Sequence, residues 1–421
     1  LKYGVGLLVM VGAVFGASTP VLSAPASGAS NGLSFGASGE VLYDSNQLRA
    51  NPAGGGHADD FRYSPSGSAR YEHLLGRGTI VLNGLVGYDF YQYNSTLNRN
   101  RFAAGGVLTA RAGSSCSAVV NGNYSSRQNG TSSFGTSAPV APSTADLPPE
   151  DIGRLIDNRQ IFVTYGLNAN CGAPGGRLSF GGAAVHSSLD NGSSLRSFAN
   201  SNSTVYSLFA GLGVFRPGQL QINGSYSTID YPNHLIVPGA PISPAGLNTG
   251  VKTYSVGLTY SRPIGNKLTG SIGLSYLTSR PSGGQAPYSA PAYNVSLSYH
   301  PGPRLNFSAA GSRSVLSSTG AGALFRVVDA VQLSASYEIG RSLTAHANAG
   351  LTANNYQLPF AIPGQPARRT DSTKIVGIGV NYRPRPLYDV GIYASKNFRT
   401  SDTSLFNYNS TRASITLSVH V

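Results

Sequence analysis

Tryptophan is absent from this chain, cysteine occurs twice, and only 11% of the 421 residues are charged. Typical globular chains carry roughly a quarter charged residues, so this is not the surface of an ordinary soluble α/β protein. Two cysteines without histidines at ligand spacing exclude a zinc site. Beyond the first twenty-odd residues, no apolar run reaches the about twenty residues a membrane helix needs. A chain with these gaps that still crosses a membrane must cross as a closed barrel, because hydrocarbon offers backbone groups no other partners.

Glycine (53) and tyrosine (24) are abundant, and Ser, Asn and Thr fill many other positions. The mean hydropathy of −0.08 is what an apolar row facing lipid and a polar row facing a lumen average to. At the start, Lys2 precedes an apolar stretch from Val5 to Ala17, then Pro20 and Leu22-Ser23-Ala24-Pro25-Ala26. This reads as a secretory signal with an A-x-A-like site. Residues 1–26 are therefore expected to be a Sec-type signal peptide, cleaved between Ala24 and Ala29, and residues 27–421 the barrel domain. The net charge of +13 comes without an aromatic-basic RNA motif or a helical basic region, so no nucleic-acid partner is expected. Arginines spread over loops, turns and pore walls would instead meet lipopolysaccharide, anionic solutes or sugar hydroxyls.

Strict alternation is the main signal. Leu268, Gly270, Ile272, Leu274 and Tyr276 share one face, while Thr269, Ser271, Gly273 and Ser275 share the other. The same rhythm runs through Tyr254–Tyr260, Tyr293–Tyr299 and Ala413–Val421. Strands are predicted at 33–45, 60–73, 78–93, 100–112, 115–127, 159–171, 176–188, 203–216 and 218–231. They continue at 251–262, 266–279, 291–300, 304–316, 324–338, 342–356, 372–383, 387–399 and 409–421. Every second connection is a tight turn, such as Gly113-Ser114, Pro263-Ile264-Gly265 or Ile339-Gly340-Arg341, and most of the others are long and polar. A soluble sandwich also alternates but does not segregate its loops. The prediction is an all-β, transmembrane antiparallel β-barrel of about 18 strands, with short periplasmic turns and long extracellular loops. Tyr260, Tyr299, Tyr337 and Tyr382, just before tight turns, would form a periplasmic girdle. Tyr88, Phe90, Tyr226, Tyr254, Tyr276 and Tyr293 would form the opposite one.

At the first strand, Tyr43-Asp44-Ser45-Asn46-Gln47-Leu48-Arg49 resembles the Y-D-[SD]-N-x-x-R signature of the putative beta-barrel porin 2 family, found with exopolysaccharide systems. The resemblance is carried by Tyr43, Asp44, Ser45, Asn46 and Arg49, and by the rhythm from Asp59-Asp60 through Tyr88-Asp89-Phe90-Tyr91. It implies an outer-membrane channel linked to extracellular polysaccharide, with no catalytic residues or cofactor to carry over. Many bacterial barrels end in an aromatic residue read by the barrel assembly machinery. This chain ends in Val421, with the alternation of its terminal strand intact.

Antiparallel pairing sets Cys116 opposite Cys171 at the base of the hairpin with the longest loop. An even count in an exported chain reads as a disulfide; the other reading is two unpaired thiols at the rim. The predicted lumen lining is Asn83, Asp89, Tyr91, Tyr93, Gln221, Asn223, Ser225, Asn294, Ser296, His346, Asn348, Asn381 and Tyr393. Hydroxyls and amides hydrogen-bond sugars and tyrosine faces stack on pyranose rings, although any water-filled barrel is polar inside. No enzyme is expected, since the seven histidines suggest no Ser/His or Asp/His pair. Gly54-Gly55-Gly56 is not followed by Lys-Ser/Thr, so it is no phosphate loop. Residues 128–158, with a helix-like start at Pro149-Glu150-Asp151, either fold into the pore or face solvent.

These readings converge on an outer-membrane channel for polysaccharide or oligosaccharide. Alternatives are a diffusion porin for small solutes and a structural or adhesive barrel without an open lumen. Expected partners are outer-membrane lipid and lipopolysaccharide, the assembly machinery, a polysaccharide substrate and export proteins.

Overall fold

A computed structural model describes residues 32–47, 59–128, 158–172, 177–193, 197, 200–213, 218–233, 249–282, 287–317, 325–357, 370–402 and 407–421. The signal-like segment, Arg49 and the 129–157 loop lie outside the described residues. The first nine strands are β1 (Gly32–Asp44), β2 (Asp60–Leu75), β3 (Gly78–Tyr91), β4 (Arg99–Ala112), β5 (Cys116–Gln128), β6 (Arg159–Gly172), β7 (Leu178–Asn191), β8 (Ser201–Gly213) and β9 (Gln219–Tyr231). The remainder are β10 (Thr249–Ile264), β11 (Leu268–Pro281), β12 (Tyr288–Gly302), β13 (Leu305–Ser317), β14 (Phe325–Ile339), β15 (Leu343–Gln357), β16 (Thr370–Arg385), β17 (Tyr388–Ser401) and β18 (Tyr408–His420).

Each strand pairs antiparallel with its sequence neighbours, and β1 pairs with β18 from Gly36↔His420 to Asp44↔Arg412, so the sheet closes. Closure leaves no edge, the condition for a sheet in hydrocarbon. Gly113, Gly265 and Gly340 supply the positive φ that three of the tight turns require. Cys116 is the register partner of Cys171, and the two form a disulfide at the turn end of β5–β6.

Strand ends differ from the sequence reading by up to three residues. β12 starts at Tyr288, before Pro291. Pro291 pairs with Tyr276 of β11, and pairing with β13 begins only at Asn294, so the missing N–H falls where no neighbour needs it. β3 stops at Tyr91 rather than 93. There the Asp60 carboxylate accepts hydrogen bonds from the Tyr93 and Asn94 backbone amides at 3.0 and 2.9 Å and draws the chain into a 3-10 turn at Ser95–Leu97.

Large apolar side chains stand exposed on one face of each strand: Leu82, Val86 and Phe90 on β3, Leu208 on β8, and Ile272 and Leu274 on β11. Nearly all buried polar residues occupy the opposite parity. This inverts a soluble protein and matches a lipid-facing band around a polar interior. Aromatic residues end the band. Tyr299, Tyr337 and Tyr382 lie toward the turns, while Tyr206, Tyr226 and Tyr254 form a run toward the loops, the first two stacked and the third tilted against the second.

Leu274 lies midway along the outward row of β11 and is 65% exposed. Leu274→Arg should cost about 2–4 kcal/mol of folding stability in bilayers, whereas Ser275→Arg, one residue on and facing inward, should stay within about 0.5 kcal/mol. Urea titration of protein folded into vesicles measures both; equal costs would contradict the assignment of the two faces.

Candidate functional site

Register carries the inward parity from strand to strand, and most of the predicted lining residues occupy it. Asn83 and Asp89 on β3, Gln221, Asn223 and Ser225 on β9, and Asn294 and Ser296 on β12 share this face. His346 and Asn348 on β15, Asn381 on β16 and Tyr393 on β17 continue it. Tyr91 lies on it at the loop end of β3 and is buried against Leu97. Tyr93 lies two residues beyond β3 and is largely exposed.

The inner wall is divided into two arcs. On the eight consecutive strands β6–β13, the described inward positions carry no Asp, Glu, Lys or Arg. They are mainly Ser, Thr, Asn, Gln and Gly. Hydroxyls and amides are tied together along this arc: Gln219 Nε2 on β9 reaches over Gly211 of β8 to donate to Ser179 Oγ on β7 at 2.7 Å, and on neighbouring strands Thr253 and Ser279 pair at 2.8 Å and Ser271 and Ser296 at 2.7 Å.

The remaining strands, β14 through β18 and β1 through β5, hold the inward charges, largely as ion pairs. Arg62 bonds Glu40 at 2.7 Å, and Arg412 Nε donates to Asp44 Oδ2 at 2.8 Å. Asp371 pairs with Arg399 and accepts from Asn354 Nδ2 at 2.6 Å and Tyr356 Oη at 3.1 Å. Asp89 accepts from Ser64 Oγ at 2.6 Å and lies 4.0 Å from Arg101. Near the turns, Arg383 bonds Asp389 at 2.8 Å. Buried charge persists only when paired, and here the partners come from the same or neighbouring strands. Of these charges the predicted lining contained only Asp89. In a chain so poor in charge, an acid or arginine at an inward parity within a strand is the signal that finds the others.

Within the charged arc one patch has no formal charge. Tyr393 stacks on His346 at 5.8 Å between centroids with a 14° interplanar angle, and its hydroxyl donates to Asn348 Oδ1 at 2.8 Å. Across from them on β16 stand Gly377 and Gly379, where a Cβ would collide with the Tyr393 ring and with His346. The two rings therefore lie along the wall and not across the lumen.

The Asp44-Ser45-Asn46 segment closes the barrel. Asp44 accepts from the Asn46 amide at 3.0 Å and from Ser410 Oγ at 2.6 Å, besides Arg412. The Ser45 amide donates to the Thr411 carbonyl at 2.9 Å, the Thr411 amide returns a bond to Ser45 Oγ at 2.8 Å, and Asn46 Nδ2 reaches the Asn409 carbonyl. Each of these bonds except the one within β1's own turn crosses from β1 to β18, the strands furthest apart in sequence. Tyr43 packs on Phe61 at 5.0 Å across the next pair.

Residues 248–421 match the family described as putative beta-barrel porin 2. The porin match spans β10 to β18 and so includes half of the seam, Ser410 and Arg412, but not the motif on β1. No curated protein matches the chain. Similar solved structures include OccK5 (OpdH) of Pseudomonas aeruginosa, 14% identical over 92% of this chain and 98% of that one, with a TM-score of 0.46. The siderophore receptor PirA of Acinetobacter baumannii is 7% identical over 94% and 81%, with a TM-score of 0.48. OccK2 (OpdF) of Pseudomonas aeruginosa, in complex with glucuronate, is 12% identical over 92% and 98%, with a TM-score of 0.46. The molecule is a closed, 18-strand antiparallel β-barrel, nine strands of which fall in the stretch that matches a porin family.

Asp44 is 1% exposed, so Asp44→Asn leaves Arg412 without its buried carboxylate and should cost about 3 kcal/mol. The Asp44→Asn/Arg412→Met double variant should cost less than the two single changes added together. Denaturant titrations of the four proteins form the cycle; strict additivity would show that the seam does not depend on this pair.

Proposed function

We propose that this barrel conducts polysaccharide or oligosaccharide across the outer membrane, as part of an exopolysaccharide export system. The observation that carries the reading is the uncharged arc of β6–β13. A wall of hydroxyls and amides exchanges hydrogen bonds with sugar hydroxyls at nearly constant energy from one position to the next. A formal charge on that wall would instead bind water tightly and resist being stripped of it. A polymer that slides needs many weak, equivalent contacts and no deep trap.

The His346–Tyr393 face adds a local stop. A flat ring presented to the lumen, with the Asn348 amide at its edge, offers a pyranose the apolar contact and the hydrogen bond its two sides need. The inward charges, being largely paired, leave little field to hold a neutral sugar or to reject a weakly acidic one. A diffusion porin for small solutes shares much of this wall. The uncharged arc is eight strands broad and runs uninterrupted along the described height of those strands, which favours a chain-like solute over a small one.

Planar-bilayer recording tests the reading. The protein should conduct, and neutral oligosaccharides should interrupt the current with dwell times that lengthen with chain length. Tyr393→Ala should shorten those dwells about five- to tenfold, the loss of roughly 1 kcal/mol of ring contact. Gly377→Val should push the ring off the wall and lower the open conductance. A current indifferent to sugars of every length would favour the small-solute porin, and silence a structural barrel.

A further inference from the structure

Among the described residues, the outward face carries basic residues that no carboxylate neutralises. Lys252 on β10 stands directly opposite Arg280 on β11, and like charges in that position repel. The Arg280 guanidinium lies 5.8 Å from the Tyr254 ring centroid. Five to six strands further round, Lys374 on β16 stands opposite Phe398 on β17, and Lys396, two residues before Phe398, brings its ammonium to 5.1 Å from that ring. Among the described residues, none of these four cations lies within ion-pair distance of a carboxylate. The nearby Asp230 carboxylate is turned over Gly250 instead.

Arg313 and Asp329 on the same outward face show the contrast. They form a two-pronged pair at 2.8 and 2.9 Å, to which Tyr293 Oη adds a third bond, so that cation is neutralised within the chain. The Lys374–Lys396 pair also differs in what lies beneath it. Toward the turns, Ala345, Ala347, Ile378, Val380, Ile392 and Ala394 line an apolar groove on the lipid-facing side. Small alanines on β15 and β17 open it between larger neighbours, and Ala394 is two residues from Lys396.

We infer that Lys374, Lys396 and the groove below them form a binding site for a phosphomonoester-bearing glycolipid of the lipid A kind, with Lys252–Arg280 as a second headgroup site. The loop end places both pairs at the outer leaflet. Two adjacent cations match a phosphomonoester, which carries nearly two negative charges, better than the single charge of a phospholipid diester. The Lys396 ammonium, held against the Phe398 ring beside Lys374, sits at headgroup level, and the groove receives an acyl chain from the same molecule.

Native mass spectrometry of the full detergent-purified chain tests this with three probes: bisphosphorylated lipid A, the same glycolipid without phosphates, and phosphatidylglycerol. Bisphosphorylated lipid A should be retained about thirtyfold better than the phosphate-free form, the effect of two surface cations. Lys374→Gln/Lys396→Gln should lose that preference at one site and Lys252→Gln/Arg280→Gln at the other. Arg313→Gln/Asp329→Asn should retain both. Equal retention of the phosphate-free glycolipid would reduce the site to an apolar groove. Equal retention of phosphatidylglycerol would reduce it to general attraction for anions, and unchanged binding by the lysine variant would remove it; each overturns the inference. If a variant loses its heat-modifiable band, the ratio among the three lipids on the unaltered protein decides.

Discussion

A sheet that lies in hydrocarbon has one requirement above the others: its first strand must find its last. Every other ladder here joins neighbours in sequence, where a hairpin brings the partners together. The β1–β18 ladder joins Asp44 to Arg412 with the whole chain between them, and until it forms two rows of backbone groups stay unpaired in a medium that cannot solvate them. The seam is accordingly reinforced by side chains. Asp44 gathers Ser410 and Arg412, and Ser45 exchanges two bonds with Thr411, donating through its amide and accepting at its Oγ. Glu40–Arg62 then ties β1 to β2 on the other side. A buried ion pair is costly to desolvate, but it is directional, and only one register of β18 against β1 satisfies it.

The same requirement orders the lumen. Ion pairs concentrate on the strands that flank the seam, leaving the opposite arc free to be neutral. Closure is specified where it is hardest to achieve, and the hairpin-joined strands β6–β13 need no such marking. Their inward residues stay small and uncharged, and that part of the wall is available for solute.

Much of this was legible in the sequence because a barrel strand is a local object. Alternation located all eighteen strands, and the tight turns fixed which end was which. Parity alone placed Asn223, Ser296, Asn348 and Tyr393 on the inner face and set Cys116 against Cys171. Local pattern failed where a non-local partner intervenes. Tyr93 continues the alternation of β3, but Asp60, on the neighbouring strand, captures its amide and ends the strand. The Tyr43-Asp44-Ser45-Asn46 motif could be recognised as a family mark, yet nothing near it reveals that its partners are Ser410, Thr411 and Arg412. The flatness of Tyr393 likewise depends on two glycines of another strand.

The charge balance follows from where each charge can be neutralised. The chain carries a net charge of +13, yet inward arginines such as Arg62, Arg399 and Arg412 each face an acid. Inside the barrel an unpaired cation would have to be solvated by a narrow column of water and would hold any anion that passed. At the outer rim the restriction is lifted, because the surrounding leaflet can supply the counter-ion. Among the described residues Lys252, Arg280, Lys374 and Lys396 face no carboxylate there, and Arg280 and Lys396 lie against the Tyr254 and Phe398 rings. Excess positive charge is thus tolerated on the face where the membrane can neutralise it, and the interior remains nearly balanced for whatever moves through.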